Sequence, residues 1–159
     1  MRRGCRASVT IEAPIADVWE LVSDVTRVGE WSGECRGCVW EDGSDAAARG
    51  ARFRGRNRRG GLRWSRLNEV TDVEPPRRLE WRTVPRFPYP DSVQWVLSLE
   101  EAAGGTTVTE SFEVVKIPKV MEWGIGVVMP AHRDRSADLG EDLARLKQVV
   151  ESTGRARSE

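Results

Sequence analysis

The sequence holds a single histidine, His132, and only three cysteines, Cys5, Cys35 and Cys38. One imidazole excludes any multi-histidine metal site and any mechanism that needs two imidazoles. Net charge is absent as well, because 25 basic residues balance 25 acidic ones. A neutral chain has no whole-protein attraction for nucleic acid or for an anionic membrane. Long apolar runs are missing: no stretch approaches the roughly 20 residues that cross a bilayer. The basic start, residues 1–6, leads into no signal-type apolar segment. The expectation is a soluble, cytoplasmic protein without a transmembrane segment. Lysine is scarce, with Lys116, Lys119 and Lys147 standing against 22 arginines. The arginines run through the whole chain, which reads as high-GC bacterial coding rather than selection for guanidinium chemistry.

What is present fits one folded domain. A chain of 159 residues is of ordinary single-domain length. It buries about two-thirds of its unfolded surface, enough to dispense with disulfides or metals. Apolar residues make up 39% and there are seven tryptophans, a composition that disordered chains lack. Residues 1–152 read as one domain and residues 153–159 as a polar, frayed tail.

Hydrophobic periodicity then orders the elements. Residues 5–13 alternate, with Ala7, Val9 and Ile11 on one face, and read as a strand. Pro14 opens a helix carrying Ile15, Val18, Trp19 and Val22 at helical spacing, with Asp17 in its first turn. A second short helical segment covers about 25–30. Strands follow at 38–40, 51–58, 62–73, 77–84, 92–100 and 106–115, separated by Gly60-Gly61, Pro75-Pro76, a loop with three prolines, and Gly104-Gly105. Leu139, Leu143, Leu146 and Val150 then mark a final amphipathic helix. Six successive strands joined by short turns predict an antiparallel sheet, with the last helix covering its apolar face.

This order resembles the polyketide cyclase/dehydrase and lipid-transport group of the START and birch-pollen-allergen superfamily (SRPBCC). The residues that carry the likeness are the opening Ala13-Pro14 with Trp19, then Glu30-Trp31-Ser32. Further matches are Gly50 to Gly55, Arg78 to Trp81, and Gly105 to Phe112. The resemblance implies an α+β helix-grip fold. In that fold a curved seven-stranded antiparallel sheet wraps round a long C-terminal helix, with two short helices after the first strand. It also implies a deep, mostly apolar pocket between sheet and helix. The fold hosts carriers, sensors, cyclases and stress proteins alike and has no universal catalytic motif, so it names no catalytic residue.

Parity names the residues that face such a pocket. Phe53, Trp64, Trp81, Trp95, Leu97 and Phe112 are its expected apolar lining, and tryptophan offers a ligand a large flat surface with one donor. Asn57, Arg66, Asn68 and Glu110 are polar residues on the same inner face. A glutamate between Val108 and Phe112 is costly to bury unless paired. Desolvation should raise its pKa unless Arg66 or another cation sits beside it. Glu110 and His132 form the one acid/base pair the sequence offers for catalysis. Against that reading stand a structural Glu110–arginine pair and a capping or surface histidine.

Two further groupings invite chemistry and receive plainer readings. Cys35 and Cys38 have the spacing of a metal half-site or a redox pair, yet only Cys5 and His132 remain to complete a zinc site. They also do not open a helix after a strand, as a thioredoxin-type pair does. Reduced, structural thiols and no metal are expected. Eight arginines and no acid fall between Arg49 and Arg66. Arg52, Arg54, Arg56 and Arg58 share the outer face of one strand, while residues 12–48 carry nine acids against two arginines. A solvated or cross-strand-paired face is expected rather than an RNA surface. The expected partner is a small hydrophobic molecule, aromatic and lipid-like ones included, held by a carrier or sensor. The alternative is a cyclase or dehydratase using the same pocket. No cofactor and no nucleic acid are expected, and the oligomeric state stays open.

Overall fold

The computed structural model describes residues 3–129 and 134–159. Eight-residue β1, Gly4–Ile11, leads into helix α1, Ile15–Ser23, and a 3-10 helix, Val25–Glu30. Six strands follow: β2 Cys35–Glu41, β3 Arg52–Arg59, β4 Leu62–Glu74, β5 Arg78–Thr83, β6 Ser92–Ala102 and β7 Gly105–Lys116. Helices α2, Lys119–Val128, and α3, Ser136–Ser158, complete the described chain.

The seven strands form one sheet in the order β1-β7-β6-β5-β4-β3-β2. Every pairing is antiparallel. Consecutive strands from β2 to β7 are neighbours, joined by tight turns at β3–β4, β4–β5 and β6–β7 and by longer loops at β2–β3 and β5–β6. Gly60, in the left-handed region, and Gly61 make the two-residue turn between β3 and β4. Gly105 must be glycine for a second reason: a Cβ there would collide with the Ile11 carbonyl. Only the path from β1 to β2 crosses the molecule, through α1 and the 3-10 helix, so those two strands become the opposite edges.

Helix α3 lies against β1 and β7. Its stripe Leu139, Leu143, Leu146 and Val150 is buried, as its four-three-four spacing predicts. Leu143, Leu146 and Val150 join a core with Ile11, Val18, Val22, Val70, Leu79, Leu97 and Val108. Leu139 closes a smaller cluster with Phe112 and Val114. This is the helix-grip arrangement expected.

One expectation needs correction, and one element was not anticipated. The segment after Ser152 is polar and largely exposed, but it continues α3 to Ser158 rather than fraying. Helix α2 has no counterpart in the sequence reading. It is short and mostly apolar, with Lys119 and Glu122 as its charged residues, and Gly124 and Gly126 lower its intrinsic helix propensity. Pro118 at its N-cap and Glu122 in its first turn were the available signals.

Candidate functional site

A cavity of about 380 Å³ lies between the inner face of the sheet and helices α2 and α3. Strand parity builds it. On β7, Thr106, Val108, Glu110, Phe112 and Val114 are buried, while the residues between them face outward. The outer face of the same strand zips to β1 through hydroxyl pairs, Ser8 with Thr109 at 2.8 Å and Thr10 with Thr107 at 3.1 Å. The pairing of β7 with β1 runs without a shift from Ile11 opposite Thr106 to Gly4 opposite Glu113. No bulge therefore turns Glu110 to solvent.

Aromatic side chains form a continuous row along one wall. Trp40 meets Phe53 edge-on at 5.7 Å, and Phe53 meets Trp81 at 6.3 Å. Trp81 and Trp95 lie parallel, 5° apart, with centroids at 6.1 Å, and Trp95 contacts Phe112 at 5.3 Å. Trp64 and Leu97 line the same space, so all six apolar residues expected there face the cavity. From α2, Met121 and Ile125 turn toward the same cavity.

The polar residues Asn57, Arg66, Asn68 and Glu110 also line it. Glu110 is only 4% exposed, and its Oε2 has no hydrogen-bond partner among the described residues. Burial foremost, then the nearby Asp142 carboxylate, pushes its pKa up to about 8; Arg135 pulls the other way without prevailing. The Glu110 carboxyl is thus protonated at neutral pH.

The Glu110–Arg66 pair considered from sequence does not form. Arg66 Nη1 instead donates to Asp91 Oδ2 at 2.9 Å, in the loop before β6, and its guanidinium lies 5.2 Å from the Tyr89 ring centroid. Arg135, at the N-cap of α3, is the cation near Glu110. It is held elsewhere: it donates to Glu34 and its guanidinium lies over Trp95 at 5.3 Å and Phe112 at 5.8 Å. A cation over an indole face is favoured by the ring quadrupole. His132 lies outside the described residues.

Sequence reasoning missed Trp31, Asp91, Arg135 and Asp142, which also line the cavity. Asp142 accepts from the Gly33 amide at 2.8 Å and the Ser32 hydroxyl at 3.3 Å, tying α3 to the turn before β2. Its pKa is raised by burial despite those bonds. Its position beside Leu143 and four residues before Leu146 was the legible signal for an inward-edge acid.

The thiols of Cys35 and Cys38 line the cavity too, with their sulfurs 3.5 Å apart. Among the described residues no cluster of three or more His, Cys, Asp or Glu side chains is arranged to hold a metal ion. The outer arginine face is part paired and part solvated: Arg52 donates to Glu69 at 2.8 Å and Arg54 pairs with Glu41, while Arg56 and Arg58 are exposed. Arg59 has the inner-face parity of Phe53 and Asn57 and reaches Asp138 of α3 at 2.8 Å. Glu41 comes from the acidic 12–48 segment, whereas Glu69 is supplied by the neighbouring strand β4.

The shape and the sequence both have relatives. No curated protein matches the sequence. The Polyketide_cyc-like protein Cgl2372 from Corynebacterium glutamicum is 31% identical, with a TM-score of 0.61 over 93% of this chain and 91% of its own. Protein NE0264 from Nitrosomonas europaea superimposes with a TM-score of 0.67 over 96% of this chain and 97% of its own, at 14% identity. The di-domain ARO/CYC BexL of the BE-7585A biosynthetic pathway gives a TM-score of 0.63 at 18% identity, over 94% of this chain and 47% of its own. The last two likenesses are of fold alone. No helix among the described residues is long and apolar enough to cross a membrane. The family described as polyketide cyclase / dehydrase and lipid transport matches residues 3–151. Match, fold and the 31% identical relative agree, and the chain belongs to that family.

Proposed function

We propose that the protein binds a small hydrophobic molecule between the sheet and α3, as its carrier or sensor. One observation carries this reading. Trp31 Nε1, Asp91 Oδ1, Glu110 Oε2 and Arg135 Nε are buried without hydrogen-bond partners among the described residues, and all four residues line the cavity. An unmet buried polar group costs about 1–3 kcal/mol. Four of them around one apolar chamber favour a ligand that is mostly apolar and carries a few polar atoms. Acceptors on it would meet Trp31, Arg135 and the protonated Glu110; a donor would meet Asp91. The parallel Trp81 and Trp95 rings suit a flat ring system. The volume sits near the low end of the roughly 300–1,000 Å³ usual for small-molecule sites.

A second reading keeps the cavity and adds chemistry: cyclisation or dehydration of a polyketide-like substrate, with Glu110 as general acid. Its support is the carboxyl's rise to about 8, close to working pH, where an acid serves best. Organic extraction of the purified protein, followed by mass spectrometry, identifies a bound molecule. Titration with 1-anilinonaphthalene-8-sulfonate measures the cavity directly. Saturable binding, weakened about fivefold or more by Trp95→Ala and altered by Glu110→Gln, is the expected result. Absence of saturable binding, or equal binding by all three proteins, overturns the carrier reading. Chemical change of an extracted molecule on incubation with the protein selects the enzymatic one.

A further inference from the structure

We propose that Cys35 and Cys38 are a redox-active dithiol built into the cavity wall, oxidised by a hydroperoxide to a disulfide. In a regular strand, residues three apart point to opposite faces. Here the pairing of β2 with β3 shifts between Cys35 and Gly37, so Cys35 stands opposite Asn57 and Cys38 opposite Gly55. The bulge at Arg36 thus puts both thiols on the inner face. Asn57 and Gly55 are two residues apart, which sets the two cysteine Cα atoms about 6.6 Å apart, inside the upper limit of about 6.8 Å for a disulfide. The sulfurs already lie 3.5 Å from each other. Both converge over Gly55, where even a Cβ would touch them at 3.6 and 3.7 Å. A residue with a larger side chain would occupy the space in which they meet.

The two sulfurs are not equivalent. Cys35 is half-buried and Cys38 is buried. The hydrogen bond between them holds the Cys35 thiol below the usual range, and that bond together with burial pushes the Cys38 thiol up. Cys35 is the attacking thiolate, because the thiolate is the nucleophile. Its sulfur bonds to the terminal oxygen of the hydroperoxide, the O–O bond breaks, and the departing alkoxide takes a proton to leave as an alcohol. Cys35 becomes a sulfenic acid. Cys38 then attacks the Cys35 sulfur, the S–O bond breaks, and hydroxide leaves with the Cys38 proton as water. In sum, two thiols and one hydroperoxide give a disulfide, an alcohol and water, and the two sulfurs supply the two electrons. A thiol reductant returns the disulfide to the dithiol by exchange. Cys5, on β1 at the opposite edge of the sheet, takes no part.

The test uses the reduced full-length protein and hydrogen peroxide. Before alkylation the intact mass should fall by two hydrogens, and after denaturation and alkylation the number of blocked thiols should fall from three to one. Arg36 lies between the cysteines, so trypsin should yield residues 28–36 and 37–49 joined only by the disulfide. Cys38→Ser should stop at a dimedone-trapped sulfenic acid on Cys35, and Cys35→Ser should slow peroxide consumption at least tenfold. Three alkylated thiols after peroxide, or Cys38 oxidised as fast without Cys35, overturns the proposal. If Cys38→Ser fails to fold, the wild-type peptide map decides alone.

Discussion

Arginines and acids occupy both faces of the same sheet, and the two faces treat them oppositely. On the outer face of β3, Arg52 and Arg54 meet Glu69 and Glu41 across the strands, each partly open to solvent. Water and counter-charge satisfy every member, so the arrangement costs little and contributes little. On the inner face, Glu110 sits among Val108, Phe112 and Trp95 with Oε2 unpartnered among the described residues. Nearby Asp91 and Arg135 each leave a polar atom unmet. Buried polar atoms without partners carry a desolvation cost. Their clustering around the cavity distinguishes the inner face from the arginine strand and supports the ligand site proposed there.

The largest test of that contrast is the pH dependence of stability. Glu110 is held at about 8 against an ordinary 4.5. Below 4.5 both folded and unfolded chains carry its proton; above 8 neither does. Between those values only the folded chain binds it, so stability falls as pH rises through the window. The full effect is on the order of 5 kcal/mol. Asp142, also raised by burial, acts in the same direction. Denaturant unfolding at pH 5 and pH 8.5 should show the loss, and Glu110→Gln should remove most of it while keeping the fold. A flat profile in the wild type, or an equal slope in the variant, would mean that Glu110 finds water or a partner cation in solution.

The Arg66–Asp91 pair comes next, with side chains 13% and 6% exposed. Removing one member strands the other charge away from water, at about 3–5 kcal/mol. Arg66→Ala should therefore lower stability by roughly 3 kcal/mol near neutral pH. Asp91→Asn in the same chain should recover part of the loss, because the stranded group is then neutral. A cost below about 1 kcal/mol, the range of exposed pairs, would place Arg66 with the outer arginines.

Much of the inner face was legible because alternation is a local property. The unbroken register of β7 turned the parity of residues 106–115 directly into the burial of Glu110. The stripe on α3 was readable for the same reason. What escaped depended on distant partners or on broken periodicity. Asp91 meets Arg66 through a proline-rich loop that carries no pattern. Alternation alone puts Cys35 and Cys38 on opposite faces, and only the bulge at Arg36 brings them together. Helix α2 was hidden because its two sides are both apolar: Met121 and Ile125 look into the cavity, whereas Val120 and Trp123 are exposed, the latter at 72%.

The smallest expected effect belongs to the outer face. Arg54 and Glu41 keep 33% and 28% of their side-chain surface in solvent. Coulomb attraction between such groups acts through a high effective dielectric and is opposed by the entropy of fixing two long side chains. Arg54→Gln keeps most of the aliphatic stem and removes the charge, so the change reports the pair rather than packing. The expected cost is below about 1 kcal/mol. It should shrink further in 1 M salt, where the screening length falls to about 3 Å. A double-mutant cycle with Glu41→Gln should give a coupling of a few tenths of a kcal/mol, about the size found for exposed pairs. A coupling above about 2 kcal/mol that survives high salt would show the arginine strand to be as sheltered as the cavity, and the contrast between the two faces would fail.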